Sequence, residues 1–204
     1  MFIQVIQGDV ADRDMLRRQL ERWQTELKPN ASGYLGSTGG VTDDGRYLGC
    51  VRFESVEAAR ANSERPEQGA WFAETEKAFS GPITFHGCTD VEVYLGGGSD
   101  SAGFVQVIQG SPADRDRVRQ LDVEFESLAR EYRPDIIGWI TAWHPDDGLF
   151  TSVVYFNSEE AARQGETQEP PEDRKHLFDD WQEAVGDATF LDLKEPWLFS
   201  PPPA

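Results

Sequence analysis

The heptapeptide Phe2-Ile3-Gln4-Val5-Ile6-Gln7-Gly8 recurs as Phe104-Val105-Gln106-Val107-Ile108-Gln109-Gly110, identical at six of seven positions after a shift of 102 residues. A segment repeated at a fixed offset marks a tandem duplication, and a duplication confines the chain to two copies of one unit. With 204 residues in all, each copy has about 100, enough for a core of its own.

The first copy reads as follows. Residues 2–8 alternate and are rich in β-branched side chains, which predicts a strand. Asp9 and Asp12 offer N-caps, and Leu16, Leu20, Trp23 and Leu27 fall on one helical face from Ala11 to Leu27. Lys28-Pro29-Asn30 ends that helix. A glycine-rich strand over 33–41 meets the turn Thr42-Asp43-Asp44-Gly45 and returns over 47–53. Ser55 caps a short helix, a second helix runs from Ala70 to Phe79, and Ile83 to Leu95 forms a long last strand bent at Gly87. Gly96 to Gly103 is a Gly/Ser linker expected to behave as a flexible coil spanning about 15 Å.

The second copy repeats each signal. Strand 104–110 leads to a helix from Ala113 to Tyr132 with Val118, Leu121, Phe125 and Leu128 on one face. Strand Ile136 to Trp143, the turn Pro145-Asp146-Asp147-Gly148, strand Leu149 to Phe156, the short helix at Ser158, a second helix through Trp181 and a last strand from Ala188 to Phe199 follow. The tail Ser200-Pro201-Pro202-Pro203-Ala204 is expected on the surface, since proline cannot extend a ladder. Each half is thus β-α-β-β-α-β, the split order of ferredoxin-like folds. The domain limits are 1–95, a linker 96–103, and 104–200, in an α+β chain whose two sheets close face to face.

Charge and motifs exclude several functions. The formal net charge is -18, with 15 acidic and 10 basic residues in 1–98 and 22 and 9 in 99–204. Such a field repels nucleic acid and anionic membranes. The opening strand has no leader-like segment before it, so a cytoplasmic location is expected. Cys50 and Cys88 have no counterparts in the second copy, which argues for buried thiols over a disulfide. His86, His144 and His176 lack metal-ligand spacing, and no nucleophile elbow, phosphate loop, dinucleotide fingerprint or zinc pattern is present. No metal and no cofactor are expected.

The βαββαβ order, the Asp-Asp-Gly hairpin (Asp43-Asp44-Gly45 and Asp146-Asp147-Gly148) and the short Ser-x-Glu-Ala-Ala-Arg helix together resemble the dimeric α+β barrel superfamily, and within it the antibiotic-biosynthesis-monooxygenase-like domains. The resemblance covers nearly the whole chain, twice. Members pair two identical subunits into one barrel, so it implies an intramolecular barrel and a monomeric pseudo-dimer. It also implies activities such as cofactor-independent oxygenation of polyketide-like quinols, haem degradation or lactone isomerisation. The haem-degrading relatives use an Asn on the first strand with a Trp and a His on the second helix. Here Gln7 and Gln109 stand near the strand position, while Trp71 and His176 fall in different copies, so haem degradation is not carried over.

The candidate ligand-binding residues are Gln4, Thr38, Arg52, Gln106, Trp139, Thr141, Trp143, His144 and Tyr155. Gln4 and Gln106 are mid-strand amides that either face a ligand or find partners inside the fold. Trp139, Thr141 and Trp143 share a strand face, and Gly36, Thr38 and Gly40 are read as their counterparts. Bulk in one copy and glycine in the other suggests a filled second cavity and an open first one. Arg52, aligned with Tyr155, can steady a phenolate or carboxylate; the alternative is a salt-bridged or exposed strand arginine. His144, beside Pro145, reads as a solvent-exposed turn histidine, or as a base if a cavity opens there. The acidic runs read as solvated helix faces. Two functions are carried forward, binding of a small apolar or aromatic molecule and cofactor-independent monooxygenation, beside a barrel that binds nothing.

Overall fold

The computed structural model describes residues Met1–Ser200; the expectation for the Pro201–Ala204 tail lies outside them. The chain has two five-stranded antiparallel sheets with helices, an α+β fold built from two repeats. It divides into two compact units. Among the described residues, one comprises Met1–Val91 with residues 195–200, and the other Glu92–Lys194.

In the first unit, strands β1 (Phe2–Asp9), β2 (Tyr34–Val41), β3 (Arg46–Phe53) and β4 (Thr84–Cys88) are joined by helices α1 (Arg13–Arg22), α2 (Val56–Ser63) and α3 (Pro66–Thr75). After β5 (Asp90–Tyr94), the second unit repeats the plan with β6 (Phe104–Gly110), α4 (Arg115–Tyr132), β7 (Ile136–Trp143), β8 (Phe150–Phe156), α5 (Glu159–Glu166), α6 (Lys175–Val185) and β9 (Thr189–Leu193); the chain then runs into β10 (Trp197–Phe199). The sheet orders are β10-β2-β3-β1-β4 and β5-β7-β8-β6-β9.

The fifth strands correct the expected long final strands. Ile83 to Leu95 is two strands in different sheets, β4 and β5, parted at Thr89. Ala188 to Phe199 is likewise β9 and β10, parted at Lys194-Glu195-Pro196, where the proline has no N–H to give a ladder. Alternation within each stretch was compatible with one strand, and which partner edge each half joins is a property of the assembled sheets.

Helix starts follow side-chain caps. Asp12 accepts from the Met15 N–H at 2.8 Å and Asp114 from the Arg117 N–H at 3.0 Å, while Ser55 and Ser158 do the same for α2 and α5. The first helix differs from its copy after that. Where α4 runs unbroken, α1 passes at Trp23 into a π-helical turn, Trp23–Leu27, and the Lys28 N–H reaches back to the Trp23 carbonyl. Both hairpins place glycine at positive φ, Gly45 at 87° and Gly148 at 75°. The 96–103 segment is pinned instead of forming the expected free coil. The Gly97 N–H meets the Tyr94 carbonyl at 2.9 Å, the Gly103 N–H meets that of Phe156 at 3.1 Å, and Gly97 packs its backbone where a side chain on Gly138 would stand.

In each unit one sheet face packs on the helices. The first core joins Phe2, Trp23, Leu27, Tyr34, Phe53 and Trp71, with Leu16, Tyr47 and Trp197 beside it. The second joins Phe104, Trp139, Trp143, Phe150, Phe156 and Val185, with Leu121 and Leu177 beside it. Among the described residues no helix is long and apolar enough to cross a membrane.

Candidate functional site

Each unit has a cavity between its sheet and its helices, and the two are unequal. That of the first unit measures about 120 Å³ and that of the second about 440 Å³. The expected open first cavity and filled second one are therefore reversed. Register explains part of this. Gln4 and Gln106 stand opposite Val51 and Val154, which in turn stand opposite Ser37 and Trp139. The counterparts of Trp139, Thr141 and Trp143 are thus Ser37, Gly39 and Val41, one residue on from Gly36, Thr38 and Gly40. The hairpin of the second unit is one residue longer, which moves the offset from 102 to 103 only beyond the turn.

Packing explains the rest. The space left by Gly39 and Gly49 is occupied by the Tyr47 ring: an added Cβ would meet Tyr47 Oη at 3.1 Å and 2.3 Å respectively. Trp197, paired with Gly39, fills more of the same region. In the second unit Trp143 packs away from the cavity against Phe150, with ring centroids 5.5 Å apart. Its Nε1 donates to Glu92 at 2.8 Å, and the guanidinium groups of Arg115 and Arg119 lie over its ring. Trp139 stacks on Tyr94 at 4.7 Å and forms a wall.

The remaining candidates separate into two groups. Gln4 and Thr38 line the first cavity, and Gln106 and Trp139 the second. Gln106 donates to Asp192 Oδ1 at 3.0 Å, so its amide nitrogen has a partner inside the fold. Gln4 stands opposite Gly87 where Gln106 stands opposite Asp192, and its side chain has no hydrogen bond among the described residues. Arg52 and Tyr155 lie on the sheet face away from the helices, buried, and line neither cavity; Arg52 donates to the Thr38 hydroxyl at 3.4 Å. Thr141 is buried against Ser152, Oγ to Oγ 3.1 Å. His144 is fully buried, correcting the solvent-exposed reading: its Nε2 lies 2.9 Å from Thr151 Oγ1, and Arg115 donates to its carbonyl.

The residue that sequence reasoning missed is Asp122. It sits on α4, only 7% exposed, and lines the second cavity. Asp122 lies outside the acidic runs, which read as solvated helix faces. Its signal was its position, four residues after Val118 and three before Phe125, inside the apolar stripe. Burial pushes its carboxyl up to about 7; the hydrogen bond from Trp181 opposes the shift and the Glu92 charge adds to it. Trp181 Nε1 donates to Asp122 Oδ1 at 3.0 Å. The offset of 102 between the capping aspartates makes Leu20 its counterpart, so the first unit has no acid there.

Around Asp122 the wall is aromatic: Phe125, Trp139, Phe156 and Trp181. At another part of the wall Arg163 is held by Asp192 and Glu166, and Arg133 by Asp135 in a two-pronged pair. An adjoining hollow of about 450 Å³ shares Phe125, Ala129, Arg133, Ile136 and Phe178 with the cavity. Phe178 is half exposed at this junction. A large apolar cavity with a few convergent polar groups and one carboxyl poised near neutral pH has the features of a small-molecule site.

No family model matches the chain, and no curated protein matches it. Among solved structures, it shares its fold with two proteins provisionally assigned as monooxygenases. One, from Lactobacillus acidophilus NCFM, has a TM-score of 0.73 at 13% identity, covering 97% of this chain and 98% of that one. The other, from Fusobacterium nucleatum subsp. nucleatum ATCC 25586, has a TM-score of 0.74 at 7% identity, covering 98% and 94%. An anthrone oxidase-like protein matches with a TM-score of 0.63 at 13% identity over 97% and 93%. At these identities the likeness is one of fold.

Proposed function

We propose that the protein binds a small aromatic molecule of more than one ring in the cavity of the second unit. The observation that carries this reading is a cavity of about 440 Å³ walled by Phe125, Trp139, Phe156 and Trp181, with the single buried acid Asp122 among them. Its size falls within the range of small-molecule sites, and its aromatic walls suit a flat apolar ligand. With its carboxyl titrating near neutrality, Asp122 either accepts or donates a hydrogen bond to a ligand hydroxyl or carbonyl. Thermal melting with anthrone as the probe tests the reading. Anthrone raises the melting temperature of the parent chain, and Val154→Trp, which fills the cavity, removes the effect while circular dichroism stays native. An equal shift in both proteins overturns it.

A second reading is favoured by Asp122 itself. A carboxylate of raised pKa is suited to take a proton from an acidic aromatic carbon or hydroxyl. In cofactor-independent monooxygenation, the resulting electron-rich anion gives electrons to O₂; one oxygen atom ends on the carbon and the other leaves as water. Descriptions of fold neighbours as monooxygenases and as anthrone oxidase-like support this chemistry as compatible with the architecture. Oxygen uptake with anthrone separates the two readings: turnover lost in Asp122→Asn supports the enzyme, and tight binding without uptake supports the binding protein.

One chain supplies both repeats, so the protein is taken to be a monomer and its location cytoplasmic, where Cys50 and Cys88 stay reduced.

A further inference from the structure

The cavity of the first unit differs from the second in kind as well as size. Among the described residues its wall has neither Asp, Glu, Lys, Arg nor His. Its polar side chains are neutral, and two of their buried atoms lack partners. Trp197, 5% exposed, lines the cavity, and its Nε1 is buried without a hydrogen-bond acceptor. Gln24 lines it too. Its Nε2 donates to Tyr34 Oη at 3.1 Å while the tyrosine gives its own proton to the Phe199 carbonyl, at 3.2 Å. The same tyrosine oxygen lies 2.9 Å from Ser37 Oγ, and this network leaves Gln24 Oε1 buried without a donor. Gln4, facing Gly87 across the strand pair, adds another amide to the wall.

Buried indole N–H and amide oxygen atoms are nearly always satisfied in folded proteins, by protein, water or ligand. Two unsatisfied groups of opposite polarity in one cavity wall mark a place for a molecule that both accepts and donates. Backbone geometry points the same way. Trp23 and Gln24 sit on the π-helical turn that α4 lacks, and such turns occur often at functional sites. The volume, about 120 Å³, is near the roughly 150 Å³ of an apolar cavity that holds benzene.

We infer that the first unit carries a second ligand site, for a neutral single-ring aromatic bearing a hydroxyl group. The hydroxyl oxygen accepts from Trp197 Nε1, and Gln24 Oε1 and the Gln4 amide accept its proton or meet a further polar substituent. Leu16, Leu20, Trp71 and Phe72 enclose the ring. With no acid or base in its wall, this site binds its ligand without proton transfer. It rests on groups of the first unit alone and stands whether or not the second cavity is catalytic.

Isothermal titration calorimetry of the full chain with phenol and with toluene tests this. Trp197→Phe keeps an aromatic ring and removes the donor. The expected result is phenol binding that weakens about fivefold or more in Trp197→Phe, the size of one net hydrogen bond, while toluene affinity changes less than twofold. Gln24→Leu, on the opposite polarity, weakens phenol in the same way and gives a second measurement if Trp197→Phe fails to fold. Trp197 and Gln24 line only the first cavity, so the variants assign the site. No phenol binding by the parent chain, as expected if ordered water alone fills the cavity, overturns the inference. So does phenol affinity unchanged in both variants.

Discussion

Trp181 Nε1 donates to Asp122 Oδ1 at 3.0 Å, between α6 and α4, and so holds a carboxyl group inside an aromatic wall where its counterpart in the other repeat is Leu20. The relationship sets a conflict. The hydrogen bond favours the charged form, while burial and the Glu92 carboxylate favour the neutral one, and the latter prevail.

Stability should therefore fall as pH rises across the range between the two pKa values of Asp122. The folded-state value is about 7 and the ordinary value 3.8. Below pH 3.8 the acid is protonated in both states and costs nothing. Between the two values the folded state holds a proton that the unfolded state has released, so raising the pH favours unfolding; above 7 the penalty is complete. Its upper size is roughly 4 kcal/mol. Asp122→Asn keeps an acceptor for Trp181 and removes the titration. The variant should match the parent near pH 4 and melt several degrees higher at pH 8. Equal pH dependence in the two proteins would show that Asp122 is not the group responsible.

Glu92→Gln should lower the Asp122 pKa, because it removes a neighbouring negative charge. The change has a structural side as well. Glu92 accepts from Trp143 Nε1 and pairs with Arg119 at 3.0 Å. A glutamine retains the first contact and loses the charge of the second. Carbon-detected NMR titration of the Asp122 carboxyl measures the shift directly. A value that stays put or rises would mean that the Glu92 charge does not raise the Asp122 pKa.

Trp181→Phe should act in the opposite direction. It removes the donor that stabilises the carboxylate and leaves the ring packing against Phe125, whose centroid lies 6.1 Å away. The Asp122 pKa should rise further, and stability at pH 8 should fall by about 1–3 kcal/mol, the scale of a hydrogen bond to a charged group. At pH 4 the two proteins should differ less. Urea unfolding at both pH values measures this.

The duplication, the ferredoxin-like order, the capping residues and the hairpins were legible in the sequence because each depends on local signals. Asp12 and Asp114 cap from three residues away, and Gly45 and Gly148 meet a local demand for positive φ. The division of each last strand was not legible, since Asp90–Tyr94 and Trp197–Phe199 alternate as well as their neighbours do and differ only in the edge they join. The site was half legible. Gln4, Gln106 and Trp139 line cavities, whereas Arg52, with the Thr38 hydroxyl bonded to it, and Tyr155 face away because strand side chains alternate. Cavity size could not be read from residue bulk. Trp143 turns into the core and Tyr47 fills space that glycines leave, and both depend on packing partners distant in sequence. Asp122 was readable from its place in the apolar stripe, between Val118 and Phe125.

Gly49→Ala should show how the first cavity came to be small. The Tyr47 hydroxyl oxygen lies 2.3 Å from where the new Cβ would stand, and two ring carbons lie 2.8 Å and 3.0 Å away. Those atoms belong to a stiff ring held by Phe79 at 5.8 Å and Trp197 at 6.3 Å, so the ring cannot swing aside without disturbing both. Overpacking of this kind costs about 1–3 kcal/mol. Tyr47→Leu should cost stability too, by leaving a void. The double variant tells the two effects apart: the leucine removes the atoms that the new methyl group meets, and the methyl group fills part of the void. Its destabilisation should be at least about 1 kcal/mol less than the sum of the single changes, measured by urea unfolding. Strict additivity would mean that Tyr47 does not occupy the space Gly49 leaves.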